Sequence, residues 1–150
     1  MDSITVPGTL LDIAGRLTLA VVLGAVIGIN REWEGKPAGL RTHALVALGG
    51  ALFTLIGLFL NPNPSSMGPI LQGITAGIGF IGAGVIMRRP ELHDVQGLTT
   101  AAAIWVVAAI GVAVGAGLWR MSLVALALAL FILVVGDAID GWLHRTKTRG

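Results

Sequence analysis

The sequence predicts an all-α membrane protein of about five transmembrane helices in a single transmembrane domain, and three observations carry that prediction. Of 150 residues, 55% are hydrophobic and only 12% charged, where a soluble domain runs near a quarter charged. The apolar runs are about 20 residues long, enough to cross a hydrocarbon core, and they do not alternate as barrel strands do. Short clusters of glycine, proline, asparagine and arginine separate them. Lipid suits such a composition because a helix satisfies its own backbone polar groups where no water is available. Cysteine is absent and the net charge is +2. These exclude a disulfide framework and thiolate chemistry, and give no sign of a nucleic-acid partner.

The first span is predicted over residues 10–29. The chain opens Met1-Asp2-Ser3 with no basic segment, so this span is expected to be retained and not cleaved as a signal. Asp12 and Arg16 lie four residues apart near its start, acid first, the better order for a helical ion pair. The second span covers 42–60 and ends at Asn61-Pro62-Asn63-Pro64-Ser65-Ser66, a run of turn residues. The third, 69–87, begins at Pro69, which suits a first helical turn, and stops at Arg88-Arg89-Pro90. The fourth covers 98–117 and the fifth 121–143. Trp33, Trp119 and Trp142 fall at span ends, as interfacial aromatics do. Trp105 falls inside the fourth span and is expected to pack within the bundle.

Arginine and lysine set the expected orientation. Eight of the ten basic residues lie on one side, in the first-to-second and third-to-fourth connections and the tail, leaving Arg16 and Arg120 on the other. The N-terminus is therefore expected outside and the C-terminus inside. A weak repeat accompanies this pattern. A gapless shift of 58 residues lays Gly24-Ala25 on Gly82-Ala83, Arg31 on Arg89, Gly39-Leu40 on Gly97-Leu98 and Thr42 on Thr100. Each unit would hold two spans, so the two copies would run in the same direction, with the fifth helix added.

The residues that stand out fall in four groups. The polar segment 31–43 holds Arg31, Glu32, Gly39, Arg41 and Thr42. It reads either as a solvated loop or as an ordered site whose charges pair with Arg88, Arg89, Glu91 and Asp94 of the facing connection. The third span carries Gly73, Gly77, Gly79, Gly82 and Gly84. Its G-x-G-x-x-G match lies inside a membrane span, without the strand that a dinucleotide fingerprint needs. Two readings remain: close helix packing through small-xxx-small pairs (Gly73/Gly77, Gly24/Gly28, Gly111/Gly115), or a bent helix that exposes backbone to a cavity. Gly97, Thr99 and Thr100 open the fourth span, where threonine caps or back-bonds a helix. Gln72, Thr54 and Thr75 are expected to bond between helices. Asp137 and Asp140 share a face near the inner end of the fifth span, as functional acids or as hydrated interfacial ones. His43, His93 and His144 have no metal-ligand spacing, and no hydrolase, zincin or P-loop motif is present. No metal, cofactor or enzymatic activity is expected.

Arg31-Glu32 through Thr42, Gly77-Ile78-Gly79-Phe80-Ile81-Gly82-Ala83-Gly84, and Gly97-Leu98-Thr99-Thr100-Ala101-Ala102 with Trp105 occur in this order and closely resemble the MgtC/SapB family over roughly residues 10–140. The resemblance implies a multi-pass protein of the bacterial inner membrane. It is associated with adaptation to low magnesium and acid and, in pathogens, with survival inside host cells. The best-known members resemble regulators of other membrane machinery, including the F-type ATP synthase, and not proven magnesium pumps. The family motif falls on Arg31, Glu32, Gly39, Leu40, Arg41 and Thr42, on the glycines of the third span, and on Gly97, Thr99 and Thr100. Asn30 stands where members often carry an acid, which weakens a cation-binding role there. Many members carry a soluble C-terminal domain that this sequence, ending at Gly150, would lack. A non-enzymatic regulator is the expected function, with membrane lipid, a second copy of the chain and other inner-membrane proteins as partners. The alternative is an ion or small-solute conduit, for which five helices are few, so it would require a dimer or larger assembly.

Overall fold

The structure, a computed structural model, describes residues 8–63, 67–89 and 94–147. Its five helices are α1 (Leu10–Trp33), α2 (Leu40–Leu60), α3 (Met67–Val85), α4 (Leu98–Gly115) and α5 (Trp119–Lys147). All five are long and apolar enough to cross a membrane, α5 through Trp119–Ile139. The chain is a multi-pass membrane protein.

Helix ends differ from the sequence reading for local reasons. Thr9 caps α1, its hydroxyl accepting from Asp12 N at 3.2 Å. The polar residues Asn30, Arg31 and Glu32 stay helical instead of ending the span, since hydrogen bonds from Asn30 and Arg31 to Glu34 replace those lost to water. The carboxylate of Glu32 accepts from Leu40 N at 2.9 Å. It supplies the cap that Gly39 has no side chain to make, so α2 starts two residues before Thr42.

α3 ends at Val85, and the expected third-to-fourth loop contains an antiparallel ribbon. Met87–Arg89 (β1) pairs with Asp94–Gln96 (β2), with Met87 opposite Gln96 and Arg89 opposite Asp94. Gly97 joins ribbon to α4 at φ +92°, with Val85 O against the place a Cβ would take. Only glycine meets both demands.

Close backbone approach organises the bundle. A Cβ on Gly24 would fall 2.6 Å from His43 O, and one on Gly28 2.9 Å from Gly39 O, so α1 lies tightly antiparallel to α2. Gly111 meets the Ala47 backbone and Gly115 the Ala51 backbone, so α2 and α4 run parallel. These glycines are the small-residue contacts the sequence suggests. The core they enclose is Ala20, Leu23, Ile27, Ala47, Ala51, Val107, Ile110 and Val114, closed by Leu133 of α5. At the far end from the α1–α2 turn, Arg16 donates to Asp12 at 3.0 Å and 3.1 Å and to Gly115 O at 2.9 Å. The expected ion pair thus also satisfies a carbonyl at the end of α4.

Some positions related by the 58-residue shift make comparable contacts. Gly24 faces His43, and its equivalent Gly82 faces Ala101; Gly28 faces Gly39, and Ile86 faces Gly97. The second copy is looser, for a Cβ on Gly82 would make only an ordinary 3.6 Å contact.

α3 overturns one packing expectation. Only Met67 and Gly82 of this helix are buried. Gly73, Gly77, Gly79 and Gly84 have open space where a Cβ would stand, so Gly73/Gly77 makes no helix-packing contact within the chain. The helix nevertheless runs unbroken from Met67 to Val85. Trp105 is also corrected: it is 53% exposed, because α3 stands off from α4 and leaves a groove in which Trp105 is a wall. Thr54 and Thr75 bond their own helix, to Gly50 O at 2.8 Å and Leu71 O at 2.7 Å, instead of a neighbour.

Candidate functional site: a buried arginine at the α1–α2 turn

Arginine 31 is 1% exposed. The Gly24/Gly28 approach brings the last turns of α1 against α2, so a long cationic side chain on that face has no route to water. A buried charge needs paired carboxylates. Arg31 Nη1 meets Glu34 Oε2 at 2.6 Å and Asp137 Oδ2 of α5 at 3.7 Å. Lys36 Nζ lies 3.9 Å from Asp137 Oδ1, and Asn30 donates to Glu34 Oε1 at 2.9 Å. Two acids therefore share the charges of Arg31 and Lys36, and the cluster ties α5 to the α1–α2 turn.

Burial raises the Glu34 carboxyl above its ordinary 4.5. The neighbouring Asp137 carboxyl adds to the rise, while Arg31 and Asn30 pull it part of the way back. Protonation here stabilises the folded arrangement, because two facing carboxylates repel each other once both are charged.

His43 is fully buried one turn into α2, its Nδ1 2.9 Å from Gly39 O. With Nδ1 as donor, the neutral ring presents an unprotonated Nε2. Nε2, Asn30 Oδ1, Arg31 Nε and Asp137 Oδ2 are buried without a hydrogen-bond partner, an unusual density of unsatisfied polar atoms for one end of a bundle.

The structure separates the sequence candidates. Arg31 and Asp137 come together. Glu32 and Gly39 serve the start of α2, where a Cβ on Gly39 would fall 2.7 Å from Glu32 Oε2. Thr42 is half-buried and Arg41 exposed, and Arg41 has no hydrogen bond or ion pair among the described residues. Thr100 is buried and Thr99 exposed; the cap of α4 is Gly97, not a threonine. The backbone of Arg89 is in β1, but its side chain, like those of Arg88, Asp94, Asp140 and Trp142, lies outside what the structure describes, as does Glu91 entirely. The expected pairing of the two connections is therefore not among the described contacts; the acid that meets Arg31 and Lys36 comes from α5.

Sequence reading missed Glu34, Lys36 and His43. The i, i+3 spacing of Arg31 and Glu34 was a visible signal, whereas the 106 residues to Asp137 left none. Among the described residues, no three His, Asp or Glu side chains gather to hold a metal ion.

Two apolar grooves flank α3. One, of about 710 Å³, lies between α2 and α3 and includes Leu45, Gly49, Phe53, Gly73 and Gly77. The other, of about 380 Å³, lies between α3 and the α4–α5 pair and includes Trp105 and Met121.

Comparison with known proteins agrees with the residue motifs. SrpB of Synechococcus elongatus is 42% identical over 145 residues, covering 89% of this chain and 80% of that protein. MgtC of Salmonella typhimurium is 50% identical over 109 residues, 73% of this chain and 46% of the relative. YhiD of Escherichia coli K12, a proposed magnesium transporter, is 39% identical over 127 residues, 80% and 58% respectively. The chain thus spans about half the length of Salmonella MgtC. No solved structure matches it. The MgtC family profile covers residues 17–142, from the second turn of α1 into the end of α5, and with these relatives it establishes that the chain belongs to the MgtC family.

Proposed function

We propose that the protein is a non-enzymatic regulator in the bacterial inner membrane, serving adaptation to low magnesium and related stress by acting on other membrane proteins through its helices. The observation that supports this reading best is the mainly apolar interior. The core among α1, α2 and α4 is built mainly of alanine, glycine and branched aliphatic side chains, with His43, Thr54 and Thr100 buried beside it, and both grooves beside α3 are apolar. Neither offers the row of polar groups that escorts an ion across hydrocarbon. Gln72, Thr99 and Thr100 line neither of these two grooves. Arg31, fully enclosed at one end of α1, acts in this account as a fixed strut.

A conduit built by an oligomer is the second reading. It draws on YhiD, a proposed magnesium transporter, and on the exposed glycine face of α3, against which a second copy would have to build the polar lining.

Growth at low magnesium tests the assignment. Wild-type protein should restore growth to a bacterium deleted for its own family member. Glu32→Ala and Arg41→Ala, which leave the apolar spans untouched, should insert normally and fail to restore it. Full rescue by both variants would remove the α1–α2 turn as the site, and failure of the wild type would remove the stress-adaptation role.

A further inference from the structure

The larger groove has a charged continuation. Leu45, Gly49, Phe53 and Leu60 line its α2 wall, at spacings that keep them on one helical face. One turn before Leu45 on that face stands Arg41, exposed and with no hydrogen bond or ion pair among the described residues. Gly73 and Gly77 form part of the opposite wall, each with open space where a Cβ would stand. The groove is therefore an apolar channel along the span, and beyond its Leu45 end stands a guanidinium unpaired among the described residues.

We propose that this groove seats an acyl chain of an anionic phospholipid from the leaflet bordering the α1–α2 turn, with the lipid phosphate held by Arg41. The dimensions agree. Leu45 to Leu60 extends about 22 Å at 1.5 Å per residue, and one leaflet contributes about 15 Å of hydrocarbon, so a single chain lies wholly between the walls. The first turn of α2 stands at the end of the span, where lipid phosphates lie, and a guanidinium binds phosphate through paired N–H donors. Lipid-facing basic residues beside apolar clefts recognise anionic headgroups in this way. The glycines keep α3 from filling the space that the chain occupies. The proposal depends on the membrane assignment and is independent of the regulatory reading.

The test is lipid retention. The full chain is released from vesicles of equal phosphatidylglycerol and phosphatidylcholine, and the lipid that stays bound is identified by native mass spectrometry. Wild type should keep one phosphatidylglycerol with about a fivefold preference over phosphatidylcholine, the order expected of one basic side chain at the membrane surface. Arg41→Gln should abolish the preference. Gly73→Leu and Gly77→Leu should reduce retention of both lipids while the helix content holds. Glycerol phosphate, which has the anion and no chain, should not displace the bound lipid. Equal retention of the two lipids by wild type, an unchanged preference in Arg41→Gln, or displacement by glycerol phosphate would each overturn the proposal. A lipid-free dimer cross-linked through Gly73→Cys would also overturn it, by giving the groove to a second copy. Should the leucine variants misfold, a chain-length series of phosphatidylglycerols on wild type decides, since short chains retained as well as long ones would refute the acyl seat.

Discussion

Gly24 and Gly82 are related by the 58-residue shift, and alanine should affect them very differently. At Gly24 the new methyl would stand 2.6 Å from His43 O and 2.8 Å from Ala47 Cβ, where ordinary contact begins at 3.4 Å. α1 and α2 must separate by about 0.6–0.8 Å to admit it. The obstructing oxygen belongs to the backbone and cannot rotate aside. α2 cannot retreat either, because Gly50 on its other side already meets Ala108 O of α4. Overpacking of this kind costs about 1–3 kcal/mol. Glycine's low helix propensity gives little in return, since lipid keeps the dissociated helices helical as well. At Gly82 the methyl would sit 3.6 Å from Ala101 Cβ, an ordinary contact, and stability should change by no more than about 0.5 kcal/mol. Unfolding in mixed micelles by increasing dodecyl sulfate, followed by tryptophan fluorescence, measures both. Equal effects would refute the argument that α1–α2 is the tight pair and α3–α4 the loose one.

Other outcomes follow from the Arg31 cluster and the helix ends. Glu34 has a raised pKa in the fold, so its contribution to stability is present below about pH 4.5 and is lost as pH rises through the folded value. Glu34→Gln should remove that part of the pH profile, and a profile unchanged from wild type would contradict the assignment. Asp137→Asn removes a like-charged neighbour that raises the Glu34 carboxyl, so that carboxyl should titrate lower, as seen by its infrared carbonyl band; no movement would mean that the two acids do not communicate. Glu32→Ala deletes the cap on Leu40 N and should cost about 0.5–2 kcal/mol, with faster amide exchange confined to the first turn of α2. Arg16→Met leaves the Gly115 carbonyl without its donor and should cost about 1–3 kcal/mol in the same micelle titration; a neutral effect would show the contact to be ornamental.

The five spans were legible in the sequence because each apolar run has to match the hydrocarbon thickness, and their ends slipped where polar residues found local partners. Asn30, Arg31 and Glu32 read as the end of a span, yet Glu34 lets them remain helical. The Gly24/Gly28 and Gly111/Gly115 contacts were visible as spacing, while Gly73/Gly77 has the same spacing and no contact. A small-residue pair states that a helix can be approached and is silent on whether another helix arrives. Trp105 failed for the same reason: burial depends on α3, and α3 stands away. In the site, Arg31 stood out by its place in a motif, but its burial and its union with Asp137 depend on where α5 docks, which no local pattern encodes.

The proposed function has the protein acting on other membrane machinery and conducting nothing itself. Magnesium entry into proteoliposomes, followed with an enclosed fluorescent indicator under an imposed gradient and membrane potential, tests it most directly. The mainly apolar core and apolar grooves predict entry no faster than into protein-free vesicles, for wild type and for Arg31→Ala alike. Entry that rises in proportion to reconstituted protein and falls in Arg31→Ala would contradict the account and make the chain a conduit.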